Sequence, residues 1–185
     1  MVKSAYSFAI KKEKVENYII VVWVDNEAGV LARVVGLFSG RGYNIDSLAV
    51  AEVDKKKNIS RITIATSGTP QVLQQIKLQL GKLIPVHKVA DFPNNTKTLL
   101  REMALLKVVA SDSQLKKAKK LCQKHKCRVL DKTAKSLVFE ISAMKKEIDV
   151  LIKKLEPLGL ASASRTGVVA MTKGSEIYKK LKEIL

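Results

Sequence analysis

The stretch YIIVVWVDNEAGVLARVVGLFSGRGYNI, Tyr18–Ile45, decides the fold. Its first seven residues, Tyr18–Val24, are unbroken apolar and mostly β-branched. That is the pattern of a strand covered on at least one face and central in its sheet. Asp25-Asn26-Glu27-Ala28-Gly29 interrupts it with turn chemistry. From Val30 the apolar residues return at Val30, Leu31, Val34, Val35, Leu37 and Phe38, the spacing of a helix with one buried stripe. Ser39-Gly40-Arg41-Gly42 ends that helix, glycine accepting the left-handed conformation of a C-cap.

Working outward, Asn44–Val53 reads as a second strand, Asp54–Asn58 as a charged hairpin and Ile59–Thr66 as a third strand. Pro70 opens a helix with Val72, Leu73, Ile76 and Leu80 inward, and Pro85–Phe92 closes as a short strand. Pro93-Asn94-Asn95-Thr96 has linker composition, within a connection over residues 93–100. The same order then recurs. Arg101–Ala110 is a strand, Ser113–His125 a helix, and Cys127–Leu130 with Leu137–Ile141 a hairpin. Met144, Ile148, Leu151, Ile152 and Leu155 mark a helix that Pro157 stops. Leu160–Met171 contains the last strand, and Ser175–Leu185 reads as a terminal helix.

The fold class is therefore α+β, with two tandem ferredoxin-like βαββαβ domains over residues 18–92 and 101–185. Residues 1–17 form a basic N-terminal extension. A four-stranded sheet with helices on one side leaves its other face, or an edge, to be covered. Pairing with a second copy is the common remedy, so a homodimer through the first domain is expected.

Charge raises a different suspicion. The chain has 185 residues and a net charge of +17, and 28 of its 34 bases are lysine. Residues 1–92 carry +5 and residues 93–185 carry +12. Nucleic acid is the rival class on charge alone. Lys116, Lys117, Lys119, Lys120, Lys124 and Lys126 can decorate one helix face, but base readout favours arginine and single strands favour stacked aromatics. Arginines number six, aromatics are 5%, and none lies in that helix. The run reads as a solvated lysine face, with no nucleic-acid partner expected.

Other classes fall away quickly. Tyr18–Val24, the longest apolar run, is far short of the roughly 20 residues that span a bilayer. No signal-peptide core occurs in the first 17 residues, so a cytoplasmic protein with no membrane partner is expected. Cys122 and Cys127 have only His125 between them as another ligand type and no second pair, so no metal site is expected. His87 and His125 sit in no nucleophile or metal motif. Gly40-Arg41-Gly42 closes a helix, whereas a dinucleotide fingerprint opens one. No catalytic residue is expected.

The turn before the first helix is chemically more interesting. A helix N-terminus exposes unpaired N–H groups and positive dipole, which suits a carboxylate. Gly29 leaves room for close approach, and Asn26 can cap the helix or hydrogen-bond a ligand. Asn44 offers a neutral donor and acceptor, with Ile45 beside it as an apolar wall. Such a site suits a small zwitterion with an aliphatic side chain. A purely structural reading also holds: Asp25 or Asn26 caps the helix, Gly29 eases packing, and Asn44 satisfies a turn.

The order of residues from Trp23 through Asp25-Asn26-Glu27-Ala28-Gly29-Val30-Leu31 to Gly42-Tyr43-Asn44-Ile45-Asp46-Ser47-Leu48 closely resembles the small regulatory subunit of acetolactate synthase, also called acetohydroxyacid synthase. The resemblance continues through Ile59-Ser60-Arg61-Ile62-Thr63-Ile64, Arg101–Val108 and Ser164-Arg165-Thr166-Gly167-Val168-Val169. It implies that residues 18–92 are an ACT domain used for amino-acid binding and dimerisation. It further implies that Asn26, Gly29, Val30 and Leu31 of one chain meet Asn44 and Ile45 of the other around valine. The family's small subunit activates a large catalytic subunit and confers feedback inhibition by valine in branched-chain amino acid biosynthesis. Thiamine diphosphate, FAD and magnesium are implied in that partner, and no cofactor in this chain. The alternatives are a basic nucleic-acid-binding protein or a general amino-acid-sensing adaptor. The added residues 1–17 and the lysine-heavy Leu115–Lys126 helix depart from the family pattern.

Overall fold

The structure, a computed structural model, describes residues 14–92 and 97–175. The Pro93–Thr96 linker and nearly all of the expected terminal helix lie outside the described residues. The first unit runs β1 (Glu16–Asp25), α1 (Val30–Ser39), β2 (Ser47–Asp54), β3 (Ile59–Gly68), α2 (Pro70–Leu80) and β4 (Val86–Phe92). Its antiparallel sheet has the order β2-β3-β1-β4, so β1 is central, as its continuous apolar run predicts. The second unit repeats the plan with β5 (Thr98–Val109), α3 (Asp112–Lys124), β6 (Arg128–Lys132), β7 (Ser136–Ala143), α4 (Lys145–Leu155) and β8 (Leu160–Arg165). Its order is β6-β7-β5-β8, with β5 central. Two ferredoxin-like sandwiches in tandem follow, as expected.

Each sandwich has its own core between helices and sheet. In the first, Ile20, Val22 and Val24 of β1 and Ile62 and Ile64 of β3 meet Val30, Val34, Leu37 and Phe38 of α1 and Leu73, Ile76 and Leu80 of α2. In the second, Ala104, Leu106 and Val108 meet Leu115, Ala118 and Cys122 on α3 and Ile148, Leu151 and Leu155 on α4. Fully burying one such side chain stabilises the fold by about 1.5–3 kcal/mol. None of the helices among the described residues is long and apolar enough to cross a membrane.

Four details depart from the sequence reading. First, Leu160–Met171 holds two strands: β8 ends at Arg165, and a further strand β9 (Val169–Thr172) pairs with the start of β5, from Thr98 to Arg101. Second, that two-stranded ribbon covers the outer face of the first sheet. Ala170 is 2% exposed among Val21, Trp23, Ile59, Ala90 and Phe92, with Leu100 beside them. Arg61 stacks 5.4 Å from the Trp23 ring centre and 5.7 Å from that of Phe92, and donates to the Ala170 carbonyl. Of the face or edge that the sequence left to be covered, the face is thus covered within the chain, which leaves the edges β2 and β4. Third, β2 begins at Ser47 rather than Asn44, whose carbonyl accepts from Thr66 Oγ1. Fourth, the left-handed glycine after α1 is Gly42 at φ +68°, whereas Gly40, the C-cap, is right-handed at φ −65°.

Candidate functional site

The turn between β1 and α1 is held from below. The Asp25 amide donates to the Pro85 carbonyl at 2.9 Å, and the Asp25 carboxylate meets His87 Nε2 at 2.6 Å. The Asn26 amide donates to the Asn58 carbonyl at 2.7 Å, and Asn26 Oδ1 accepts from Ser60 Oγ at 3.0 Å. Neither Asp25 nor Asn26 caps α1, which corrects the structural reading of that turn. The N-cap is Gly29, at φ +83°, and no side chain caps the helix. With its oxygen committed to Ser60, Asn26 keeps its amide NH2 as the group available to a ligand.

Gly29 opens the start of the helix. A Cβ added there would meet nothing within 4 Å. The Val30 amide turns back to the Glu27 carbonyl at 3.3 Å and the Arg33 amide bonds the Gly29 carbonyl at 3.0 Å. Between them, the Leu31 and Ala32 amides have no protein partner among the described residues. Two free N–H groups at a positive dipole end make an anion cradle. The Val30 side chain is 4% exposed and belongs to the core, so only its backbone borders this space, whereas Leu31 is 40% exposed.

Asn44 and Ile45 lie beyond the other end of α1. The Asn44 carbonyl accepts from Thr66 Oγ1 at 2.6 Å, and Asn44 Nδ2 donates to Asp46 Oδ1 at 2.6 Å. The Asp46 amide then donates to the Ala65 carbonyl at 2.8 Å. Ile45 is partly buried against the first core. A helix of ten residues separates this turn from Gly29, a length of about 15 Å. Within one protomer the structure therefore groups Asn26, Gly29, Val30 and Leu31, and separately Asn44 and Ile45. It does not bring the two groups together.

Sequence reasoning passed over the residues that hold these turns. Ser60 is 5% exposed and Thr66 is 1% exposed on a strand that also buries Ile59, Ile62 and Ile64. Hydroxyls at buried strand positions need partners, and that was the available signal. Their partners here are Asn26 and Asn44 themselves.

A second polar constellation lies within the second unit, next to where that unit meets the first. The Arg165 guanidinium bonds both oxygens of Glu102, at 2.8 and 2.7 Å, and Asp149 on α4 at 2.6 Å. Glu102 is 4% exposed, and its hydrogen bonds hold the Arg165 pKa above its ordinary value. Beside it, Thr166-Gly167-Val168 packs on Ser47 and Leu48, around a cleft of about 380 Å³ lined also by Asp46 and Lys145.

Comparison with known proteins agrees with this architecture. Residues 20–88 match the family described as the AHAS small subunit-like ACT domain, and residues 101–174 match the one described as the small subunit of acetolactate synthase. The chain is similar to the acetolactate synthase small subunit of Aquifex aeolicus, at 35% identity over 175 residues, 94% of this chain and 90% of the relative. It is similar to the probable acetolactate synthase small subunit of Archaeoglobus fulgidus, at 34% identity, covering 85% of this chain and 97% of the relative. The crystal structure of the acetolactate synthase small subunit from Thermotoga maritima superposes with a TM-score of 0.80 at 29% identity, covering 87% of this chain and 99% of that one.

Proposed function

The chain belongs to the acetolactate synthase small-subunit family, a regulatory family, and from that premise we propose that it activates a large catalytic subunit and inhibits it when valine is bound. The chemistry of thiamine diphosphate, FAD and magnesium belongs to that large subunit. What carries the valine reading is Gly29: a left-handed N-cap with open space over it, beside two unpartnered amides and the Asn26 amide. Those amides suit the carboxylate of an amino acid. The neutral amides of Asn26 and Asn44 suit its polar end, and Leu31 and Ile45 suit an aliphatic side chain.

The site is completed by a second copy. β2 is an edge strand with Val50 44% and Val53 47% exposed, and α1 exposes Leu31 and Val35. An isologous pairing of two β2 edges sets the two α1 helices antiparallel and side by side. The Gly29 end of one helix then faces the Asn44 turn of the other. The ten-residue separation within one protomer supports such a shared site.

The test is activity of the cognate large subunit with and without this chain across valine concentration, paired with calorimetry on the chain alone. Activation and valine-dependent inhibition are expected, with heat on valine addition. No heat at millimolar valine, with the dimer intact, would sink the amino-acid site. Asn44→Ala should weaken valine binding about tenfold, the worth of roughly one ligand hydrogen bond, and leave the melting temperature near wild type. Parallel loss of stability and binding would give Asn44 a structural role only.

A further inference from the structure

We propose that the Thr166-Gly167-Val168 turn is the joint through which an amino acid seated against Asn44 and Ile45 acts on the second unit; this rests on the valine reading above. The Asn44 turn passes into Ser47 within three residues. Ser47 Oγ accepts the Val168 amide at 3.4 Å, and a Cβ at Gly167 would lie 3.3 Å from Ser47 Cβ and 3.4 Å from the Leu48 carbonyl oxygen. Ser47 and the turn are thus neighbours with little room for a side chain between them, and the Val168 amide bond links them.

Beyond the joint the bonds fall within the ordinary range. The Thr166 amide donates to the Met103 carbonyl at 3.1 Å, and Thr166 Oγ1 accepts the Met103 amide at 3.2 Å. Met103 follows Glu102, whose bidentate pair with Arg165 reaches on to Asp149 of α4. Displacement at Gly167 is therefore delivered to β5 and α4 rather than absorbed in a loop. The Ser47–Val168 bond is the long, weak member of this chain, and it can tighten or open at small expense.

The other tie between the units, the β9 ribbon, lies on the sheet face opposite α1. It holds the units together through apolar packing on Val21, Trp23, Ile59, Ala90 and Phe92. A joint of this kind must also work backward, since coupling between two sites is reciprocal. Loosening Gly167 or Ser47 changes the affinity for the amino acid as well as the response to it.

The full-length chain and the reconstituted enzyme test this together. In wild type, valine should slow hydrogen exchange at the Val168 amide by about threefold or more, since exchange reads local opening. Ser47→Ala, which removes the acceptor and adds no bulk, should abolish that protection. It should raise the valine concentration for half-inhibition several-fold and leave activation without valine unchanged. Gly167→Ala, checked for an unaltered circular dichroism spectrum, should do the same by crowding Ser47. Heat on valine addition with no change at Val168, or wild-type inhibition in both variants, overturns the joint and leaves the ligand site standing. No heat with wild type overturns both.

Discussion

Gly29 meets two requirements at once: a backbone at φ +83° and an empty flank above the first turn of α1. An L residue there suffers about 1 kcal/mol of left-handed strain, which a folded domain tolerates. Its side chain, however, enters the space assigned to the ligand's carboxylate. Gly29→Asp adds a carboxylate where an anion is to bind, so repulsion and occlusion act together. The expected outcome is at least a tenfold rise in the valine concentration for half-inhibition, with activation of the large subunit retained. Full valine sensitivity in the reconstituted assay would place the site elsewhere. Asn26 shows why such roles are hard to read from residue type alone. It stood where a cap belongs, yet Ser60 holds its oxygen, and the cap is a glycine.

At the scale of elements, the apolar patterns of β1, β3, β5 and β7 made both sandwiches legible in the sequence. Helix stripes such as Ile148, Leu151 and Leu155 did the same for α4. What stayed hidden were junctions. Ala161-Ser162-Ala163-Ser164 in β8 has no large apolar residue, so the break before β9 left little periodic trace. Before the start of β2, Thr66 Oγ1 donates to the Asn44 carbonyl, a side-chain bond that competes locally with strand pairing. Of the candidate site, the residues of each half were readable, but their supports on β3 were not, because those contacts span tens of residues. The junction from α4 into β8 gives a prediction at this scale. Gly159 sits at φ +92°, and a Cβ there would lie 2.6 Å from the Val109 carbonyl oxygen and 2.8 Å from Ala110 Cβ. Gly159→Ala should destabilise by about 2–4 kcal/mol through strain and overlap against the end of β5. Denaturant unfolding should show a lower midpoint at unchanged slope; an unchanged midpoint would mean the junction relaxes freely.

For the molecule as a whole, the excess charge and the proposed ligand site occupy different places. The lysines that dominate the composition stand largely on the second unit, α3 included, where Lys116 pairs with Asp112 at 2.7 Å in solvent. The first unit exposes apolar residues along β2 and α1, Val50, Val53, Leu31 and Val35 among them. If that surface is the seam of the dimer, a single charge in it should split the assembly. Val50→Lys is expected to sediment as a monomer at micromolar concentration and to lose valine heat, because each site then lacks its second half. A dimer of wild-type size would move the seam to another edge.

The ribbon of β5 and β9 carries a further consequence, in the order of synthesis. Val21, Trp23, Ile59, Ala90 and Phe92 leave the ribosome long before Ala170, the residue that seals them. A nascent first unit can therefore close its helix-side core while its outer sheet face still stands open, with Arg61 above the two rings. Until the last strand emerges, that face is a place where chaperones or neighbouring chains can attach. Among the described residues, a chain terminated prematurely just after Arg165 keeps every element of both sandwiches and lacks the β9 strip that seals one of them. Messages cut short late in translation should thus yield sticky products, although so little of the chain is missing.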